Sequence, residues 1–228
     1  MAKIKKRKRL KLIPFFLLIL VIALIVFVTD VILDARIKNI VIKGNEIVTD
    51  QQLIDKAGLT KYPSFYKTSS YKIKKSLEEI PFIKNVKVKK SFYRVLTIEV
   101  TEHKVLLKKE TTGKLVLKNM EEVTTTEEVP YTVPRLINDV PKDKYKDLLK
   151  NLLKVKKNVR SSISEFYYDP NDFDKDRFLL YMDDGNSVYL TLTKFRMINY
   201  YNDVLPQLEG KKGILYLDSG NHFQIMEN

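Results

Sequence analysis

The side chains that could act as nucleophiles, bases or metal ligands are few and scattered in this chain. It has no cysteine and two histidines, His103 and His222, which lie on different predicted domains. Without cysteine there is no disulfide, no thiolate metal site and no cysteine nucleophile. A Ser/His/Asp triad or a multi-histidine zinc site needs its groups clustered, and the sequence shows no such cluster. The residue types therefore give no support to these kinds of catalysis.

Two short patterns resemble functional motifs. Ser64 and Lys67 fit the S-x-x-K motif of penicillin-recognising serine acyltransferases, but the companion S-D-N and K-T-G motifs are missing. Four aspartates could suggest a calcium site, yet they lack the glycine and terminal glutamate of an EF-hand loop. These are Asp169, Asp172, Asp174 and Asp176. We expect the S-x-x-K pattern to be a chance match and the four aspartates to belong to a solvated loop. We predict no metal, no cofactor and no small-molecule substrate.

A basic cluster followed by an uncharged apolar run is the strongest signal in the chain. Seven of the first eleven residues are lysine or arginine, and residues 12–29 carry no charge. A helix of this length spans about 27 Å, close to the hydrocarbon core of a bilayer. Pro14 falls in its first turn, where the missing N–H is least costly. We predict a basic cytoplasmic tail over 1–11 and a transmembrane helix over 12–29.

The distribution of charge also predicts the orientation. Basic residues are sparser after the apolar run and are accompanied by acidic ones, so the positive-inside rule places the bulk outside. This describes a single-pass type II protein of the cell membrane. A cleaved signal peptide is the competing interpretation, but the run is too long and no small-x-small cleavage pattern follows. Without the seven basic residues of the tail, the net charge of +13 falls to +6 on 12–228, so we predict no nucleic-acid partner.

Residues 36–103 predict a compact α+β unit. A β-branched run at 37–43 indicates a strand, and a capping box over Thr49–Gln52 opens a helix. A second amphipathic helix follows. Two strictly alternating stretches, 85–89 and 96–101, then indicate strands. The predicted order is β-α-α-β-β.

Residues 104–228 predict a β-rich domain. Three strand pairs flank glycine turns, at Gly113, Gly185 and Gly220. This pattern favours a meandering antiparallel sheet. Two amphipathic helices interrupt it, one beginning near Pro141 and one running from Thr193 to about Leu208. The predicted fold class is thus α+β, with a single N-terminal transmembrane helix, a small mixed domain, and an antiparallel β-sheet domain with flanking helices.

Three stretches resemble motifs of the FtsQ/DivIB bacterial cell-division family, whose membrane-proximal unit is a POTRA domain. They are Ile40–Asn45, Leu77–Val88 and Leu96–Glu102. The order of tail, membrane helix and two domains extends the resemblance over nearly the full length. Tyr93, near the family's usual proline, and His103, in place of its arginine, depart from the pattern. The resemblance implies a POTRA-like domain over 36–103 and the family's β domain over 104–228.

The resemblance also implies a function. It would be a non-enzymatic divisome scaffold at the septum, which binds FtsB/DivIC-like and FtsL-like bitopic proteins outside the membrane and regulates septal wall synthesis. A POTRA-type transport or chaperone module and a membrane-anchored cell-wall enzyme are the alternatives. A POTRA-type transport unit would precede a large β-barrel. The roughly 125 residues that follow the POTRA-like domain here leave little room for one.

The last strands, near 214–226, are the candidate partner site. An unpaired edge there can accept a strand, and Tyr216, Phe223 and Ile225 are of the types that anchor interfaces. They could equally pack within the sheet. The family resemblance implies a site on these strands, supported by the preceding helix. The resulting candidate residues are Tyr200, Tyr201, Tyr216, Leu217, Asp218, Phe223 and Ile225.

Overall fold

An N-terminal apolar helix precedes the globular part of the chain. The computed structural model describes residues 12–226, so the predicted basic tail over 1–11 lies outside the described residues. Helix α1, Leu12–Leu33, extends four residues beyond the predicted apolar run. It is long and apolar enough to cross a membrane, with a mean hydropathy of 3.2. Because none of its described side chains is buried, a fragment 34–228 keeps every core residue.

The described chain groups into two compact units. The first comprises 12–43, 50–77 and 86–99, and the second comprises 44–49, 78–85 and 100–226. The division predicted from the sequence, 36–103 and 104–228, stays a prediction.

The predicted β-α-α-β-β order is confirmed. Its elements are β1 (Asn39–Lys43), α2 (Asp50–Lys56), α3 (Ser70–Leu77), β2 (Ile83–Ser91) and β3 (Val95–Glu102). The three strands form one sheet in the order β1-β3-β2, and β1 runs parallel to β3. Parallel neighbours need a long connection between them, and here the chain from β1 to β3 includes both helices and β2.

A second sheet of nine strands contains most of the remaining chain. The strands are β4 (Val105–Lys109), β5 (Leu115–Leu117), β6 (Glu122–Val123), β7 (Arg135–Leu136), β8 (Ile163–Tyr168), β9 (Arg177–Met182), β10 (Ser187–Thr191), β11 (Gly213–Tyr216) and β12 (His222–Ile225). Their order in the sheet is β12-β11-β10-β9-β8-β7-β4-β5-β6. The α+β class with a separate sheet domain is thereby confirmed.

Strand directions follow the connections. The strands predicted to form hairpins pair antiparallel, but β4–β7, β7–β8 and β10–β11 pair parallel. The expected meander therefore holds where a short turn joins two strands. It is wrong where a longer connection carries the chain across the sheet, because a tight turn cannot join parallel neighbours.

Helical segments cover the sheet. Helices α4 (Lys142–Leu152) and α5 (Lys157–Ser161) join β7 to β8. The predicted helix over 193–208 is instead a 3-10 helix at Leu192–Tyr200, one α-helical turn, α6 (Tyr201–Val204), and a second 3-10 helix at Leu205–Leu208. Aromatic, β-branched and asparagine residues with low helix propensity, together with Pro206, explain why a regular α-helix does not form. We call 192–208 the crossover segment.

A buried carboxylate explains one of the family-like motifs. Glu102, at the end of β3, accepts the backbone N–H of Ile47 through Oε2 at 2.9 Å and that of Val48 through Oε1 at 3.0 Å. All three residues are buried. The glutamate thus satisfies two donors in a loop that has no ladder of its own.

We predict that Glu102→Ala lowers the free energy of unfolding of the fragment 34–228 by about 3 kcal/mol, because both buried N–H groups lose their acceptor. Urea denaturation followed by circular dichroism measures the change. Glu99→Ala is the matched control on the same strand, since that carboxylate pairs with Lys89 at the surface. Equal losses in the two variants would contradict the assigned role of Glu102.

Candidate functional site

The S-x-x-K pair forms part of a turn. Ser64 Oγ donates to the carbonyl of Leu33 and accepts the backbone N–H of Lys67 at 3.2 Å. The Lys67 ammonium lies 3.6 Å from the Asp34 carboxylate. In this arrangement the lysine does not act as the base of Ser64.

The acidic loop is paired with cations. Asp169 accepts Arg177 Nη1 at 3.0 Å, and Asp176 accepts the ammonium of Lys144. Asp174 accepts the backbone N–H of Asp176 at 2.8 Å. Over residues 12–226, no three acidic or histidine side chains come together as a metal site.

The hairpin β11–β12 has two faces that divide the predicted site residues. Leu215 lies opposite Phe223, and Tyr216 lies opposite His222. Opposite residues share a face and successive residues alternate. Leu215 and Phe223 therefore point to one face, and Tyr216 and His222 to the other.

An apolar groove of about 480 Å³ lies on the first face, between the hairpin and the crossover segment. Five predicted site residues line it: Tyr200, Tyr201, Leu217, Phe223 and Ile225. Tyr200 and Ile225 are 58% and 51% exposed, so they form its rim. Tyr201 and Leu217 are buried and form its floor. Such a groove can take apolar side chains of a bound segment.

A chain of hydrogen bonds fixes the floor of the groove. The Tyr201 hydroxyl donates to Asp184, with both carboxylate oxygens within 2.9 Å. Asp184 also accepts the backbone N–H of Asn186 at 3.0 Å, and the Asn186 side-chain oxygen accepts the N–H of Gly213 at 3.0 Å. Burial, with Asp184 beside it, raises the pKa of Tyr201, so the hydroxyl remains a donor near neutral pH. The hydrogen bond of the Tyr201 hydroxyl therefore holds the floor of the groove in place.

Stacked side chains cover the second face. The Tyr216 ring lies between Tyr189, 5.3 Å away, and His222, 4.6 Å away. The Arg177 guanidinium lies 3.5 Å over the Tyr189 ring, and its Nε donates to Asp218 at 2.9 Å. Tyr216 and Asp218, both predicted site residues, are therefore held within this stack and separated from the groove.

The outer side of β12 presents free backbone groups. Met226 N–H donates to Lys212 O at 3.0 Å, while the N–H of Gly213 points away from β12. Bonded and non-bonded pairs alternate along an antiparallel ladder, so Phe223 and Ile225 direct their N–H and C=O groups outward. Within the described residues, no strand lies on that side.

The other sheet edges are shorter or protected by charge. β6 has only two residues. Lys38 directly precedes β1, and Lys43 is the last residue of that strand. β2 is nine residues long but carries four lysines: Lys84, Lys87, Lys89 and Lys90. Lysine on an edge strand disfavours the addition of another strand. β12 contains neither lysine nor proline, and it borders the apolar groove.

Sequence reasoning missed Arg177, Asp184 and Tyr189. Arg177 and its partner Asp218 are 41 residues apart, so no local pattern links them. Asp184 lies in a stretch whose aspartate, glycine and asparagine indicated only a hairpin turn. The turn contains more polar residues than a hairpin turn needs, and this excess was the only sign in the sequence that one of them has a further role.

Two families of known proteins match consecutive parts of the chain. Residues 35–103 match the family described as POTRA domain, FtsQ-type. Residues 105–219, half of the chain, match the family described as cell division protein FtsQ/DivIB, C-terminal.

Relatives match along most of the chain. Cell division protein DivIB of Bacillus subtilis (strain 168) is 28% identical over 232 residues, covering 97% of this chain and 88% of the relative. DivIB of Bacillus anthracis is 30% identical over 226 residues, covering 95% and 84%. The solved major extracytoplasmic domain of the trans isomer of DivIB from Geobacillus stearothermophilus covers 48% of this chain and 96% of that chain, with 21% identity and a TM-score of 0.40. The sequence matches confirm the resemblance, and the chain belongs to the FtsQ/DivIB family of cell-division proteins.

Proposed function

We propose that this protein is a non-enzymatic, membrane-anchored scaffold of the division machinery that captures a strand of a bitopic partner on β12. The partners would be FtsB/DivIC-like and FtsL-like proteins, bound outside the membrane at the septum, and the complex would regulate septal wall synthesis. Helix α1 would be the single span, with the basic N-terminal tail in the cytoplasm. Family membership supports the division role.

The outward backbone groups of Phe223 and Ile225, beside an apolar groove, are the observation that carries the proposal. Strand addition uses main-chain hydrogen bonds for affinity and pockets for alternate side chains for specificity. An incoming strand would bond to these groups and direct every second side chain toward the groove. The partner segment should therefore alternate apolar and polar residues.

The geometry of Ser64 disfavours the alternative of a serine-based wall enzyme. A nucleophilic serine needs a base within hydrogen-bond reach. Ser64 Oγ instead donates to a main-chain carbonyl, and Lys67 is near Asp34. Among residues 12–226, no comparable feature favours the transport or chaperone alternative.

We predict that Ile225→Pro weakens partner binding about tenfold or more, since one outward hydrogen bond is worth about 1 kcal/mol and the ring obstructs the edge. The fold should persist, because the N–H of Ile225 faces away from β11. Biolayer interferometry of 34–228 against extracytoplasmic segments of the host's FtsB/DivIC-like and FtsL-like proteins measures the affinity.

Ile225→Ala is the matched control, since it shortens the side chain and keeps the N–H. Proline and alanine variants with the same affinity would exclude main-chain pairing at this position. Failure of the unmodified fragment to bind any such partner would overturn the proposal as a whole.

We predict that Tyr200→Ala also weakens binding about tenfold, because tyrosine is among the residue types whose truncation most weakens interfaces. Tyr167→Ala is the control, since Tyr167 is an exposed tyrosine on β8, outside the groove. The same titrations measure both variants. A larger effect of Tyr167 than of Tyr200 would place the contact on another surface.

A further inference from the structure

The turn between β2 and β3 exposes two large aromatic side chains. It is a short 3-10 turn, Phe92–Arg94. Phe92 is 92% exposed and Tyr93 is 86% exposed. Because these side chains are not buried in the fold, they contribute no hydrophobic stabilisation to it. Contact with another surface would account for their placement.

The backbone of this turn is also unusual. Tyr93 has φ 63° and ψ 20°, and Arg94 has φ 61°. Hairpin turns with two left-handed residues strongly prefer Asn-Gly or Asp-Gly. Holding two side-chain-bearing residues there costs on the order of 1 kcal/mol each. The turn keeps a tyrosine and an arginine in positions that glycine and asparagine would occupy with less strain.

The turn lies next to the end of α1. The N–H of Lys38 donates to the carbonyl of Arg94 at 2.9 Å. Lys38 follows Leu33, the last residue of α1, by five residues, which span at most about 18 Å. If α1 crosses a bilayer, the turn is therefore held close to the bilayer surface.

A second segment with exposed aromatic residues is bonded to the same linker. Pro63 O accepts the N–H of Ile37 at 3.0 Å, and Phe65 N–H donates to Ala35 O at 2.8 Å. The neighbouring side chains Tyr62 and Tyr66 are exposed. We call the four exposed aromatic residues the juxtamembrane rim: Tyr62, Tyr66, Phe92 and Tyr93.

We infer that the juxtamembrane rim inserts into the interfacial layer of the phospholipid bilayer beside α1. Aromatic side chains are enriched at this depth, where an apolar ring and a polar edge are both accommodated. Two exposed cations, Arg94 within the turn and Lys38 bonded to it, would attract anionic headgroups. The inference rests on the proposed anchoring by α1, and it would fix the first unit on the membrane at two further points.

The continuity with α1 favours lipid over a partner protein as the occupant. Both rim segments are bonded to residues 35–38, directly after the apolar helix. Any bilayer around that helix is present whether or not a partner is bound. If a partner protein covered the rim instead, the rings would be buried only after that partner had been added.

The absence of tryptophan from this chain allows a direct test. Phe92→Trp in the full-length protein introduces a single fluorophore at the tip of the turn. The protein is reconstituted alone into vesicles of phosphatidylcholine and phosphatidylglycerol, with or without lipids brominated near the headgroup. Phe173→Trp is the matched control, since Phe173 is 100% exposed and lies in the second unit.

We predict that the emission of Phe92→Trp shifts to shorter wavelength and loses intensity with brominated lipid, whereas Phe173→Trp changes in neither respect. Flotation of the vesicles independently tests the anchor. Protein that floats but has equal, unquenched emission in both variants would overturn the inference and leave the proposed anchoring intact. Protein that does not float would overturn the anchoring itself, and quenching of both variants would show non-specific adsorption and also overturn the inference.

Discussion

The parallel pairing of β10 and β11 is the constraint on which the C-terminal site depends. Parallel neighbours cannot be joined by a tight turn, so the chain must leave β10, cross the sheet and return. The crossover segment does this, and its residues Phe195 and Ile198 are buried in the core. It thereby supplies one wall of the groove and brings β11 and β12 to the edge of the sheet.

The turn between β9 and β10 connects the two sides of the groove. Asp184 holds Tyr201 from the crossover segment, and Asn186 holds Gly213 at the start of β11. Gly213 itself permits a close approach, because a Cβ there would lie 2.1 Å from the carbonyl oxygen of Gln224. Any larger residue would push β12 outward. The position of the edge strand therefore depends on a turn and a glycine that make no contact with its outer side.

Local patterns predicted the elements that local interactions build. The hairpins around Gly113, Gly185 and Gly220 follow from turn chemistry, and α1 from apolar length. The order of the elements along the chain also predicted that the last strands lie at an edge of the sheet. The separation of their residues into a groove face and a stacked face did not follow from it, because the groove wall and the stacking of Tyr216 on Tyr189 depend on the pairing of β10 with β11, which the crossover segment brings together. The irregular helix at 192–208 was likewise outside the reach of apolar spacing alone.

The shortness of β12 limits what strand addition can contribute by itself. Two residues with outward backbone groups allow only a few hydrogen bonds, each worth about 1 kcal/mol net. Ordering a partner strand costs a comparable amount for each residue fixed, so these bonds alone do not give useful affinity. Apolar burial in the groove must supply part of the difference. If both proteins are anchored in one membrane, their tethering raises the effective concentration of each at the other's site. A short edge beside a groove then suits a contact that is weak between free fragments and strong between membrane-bound proteins.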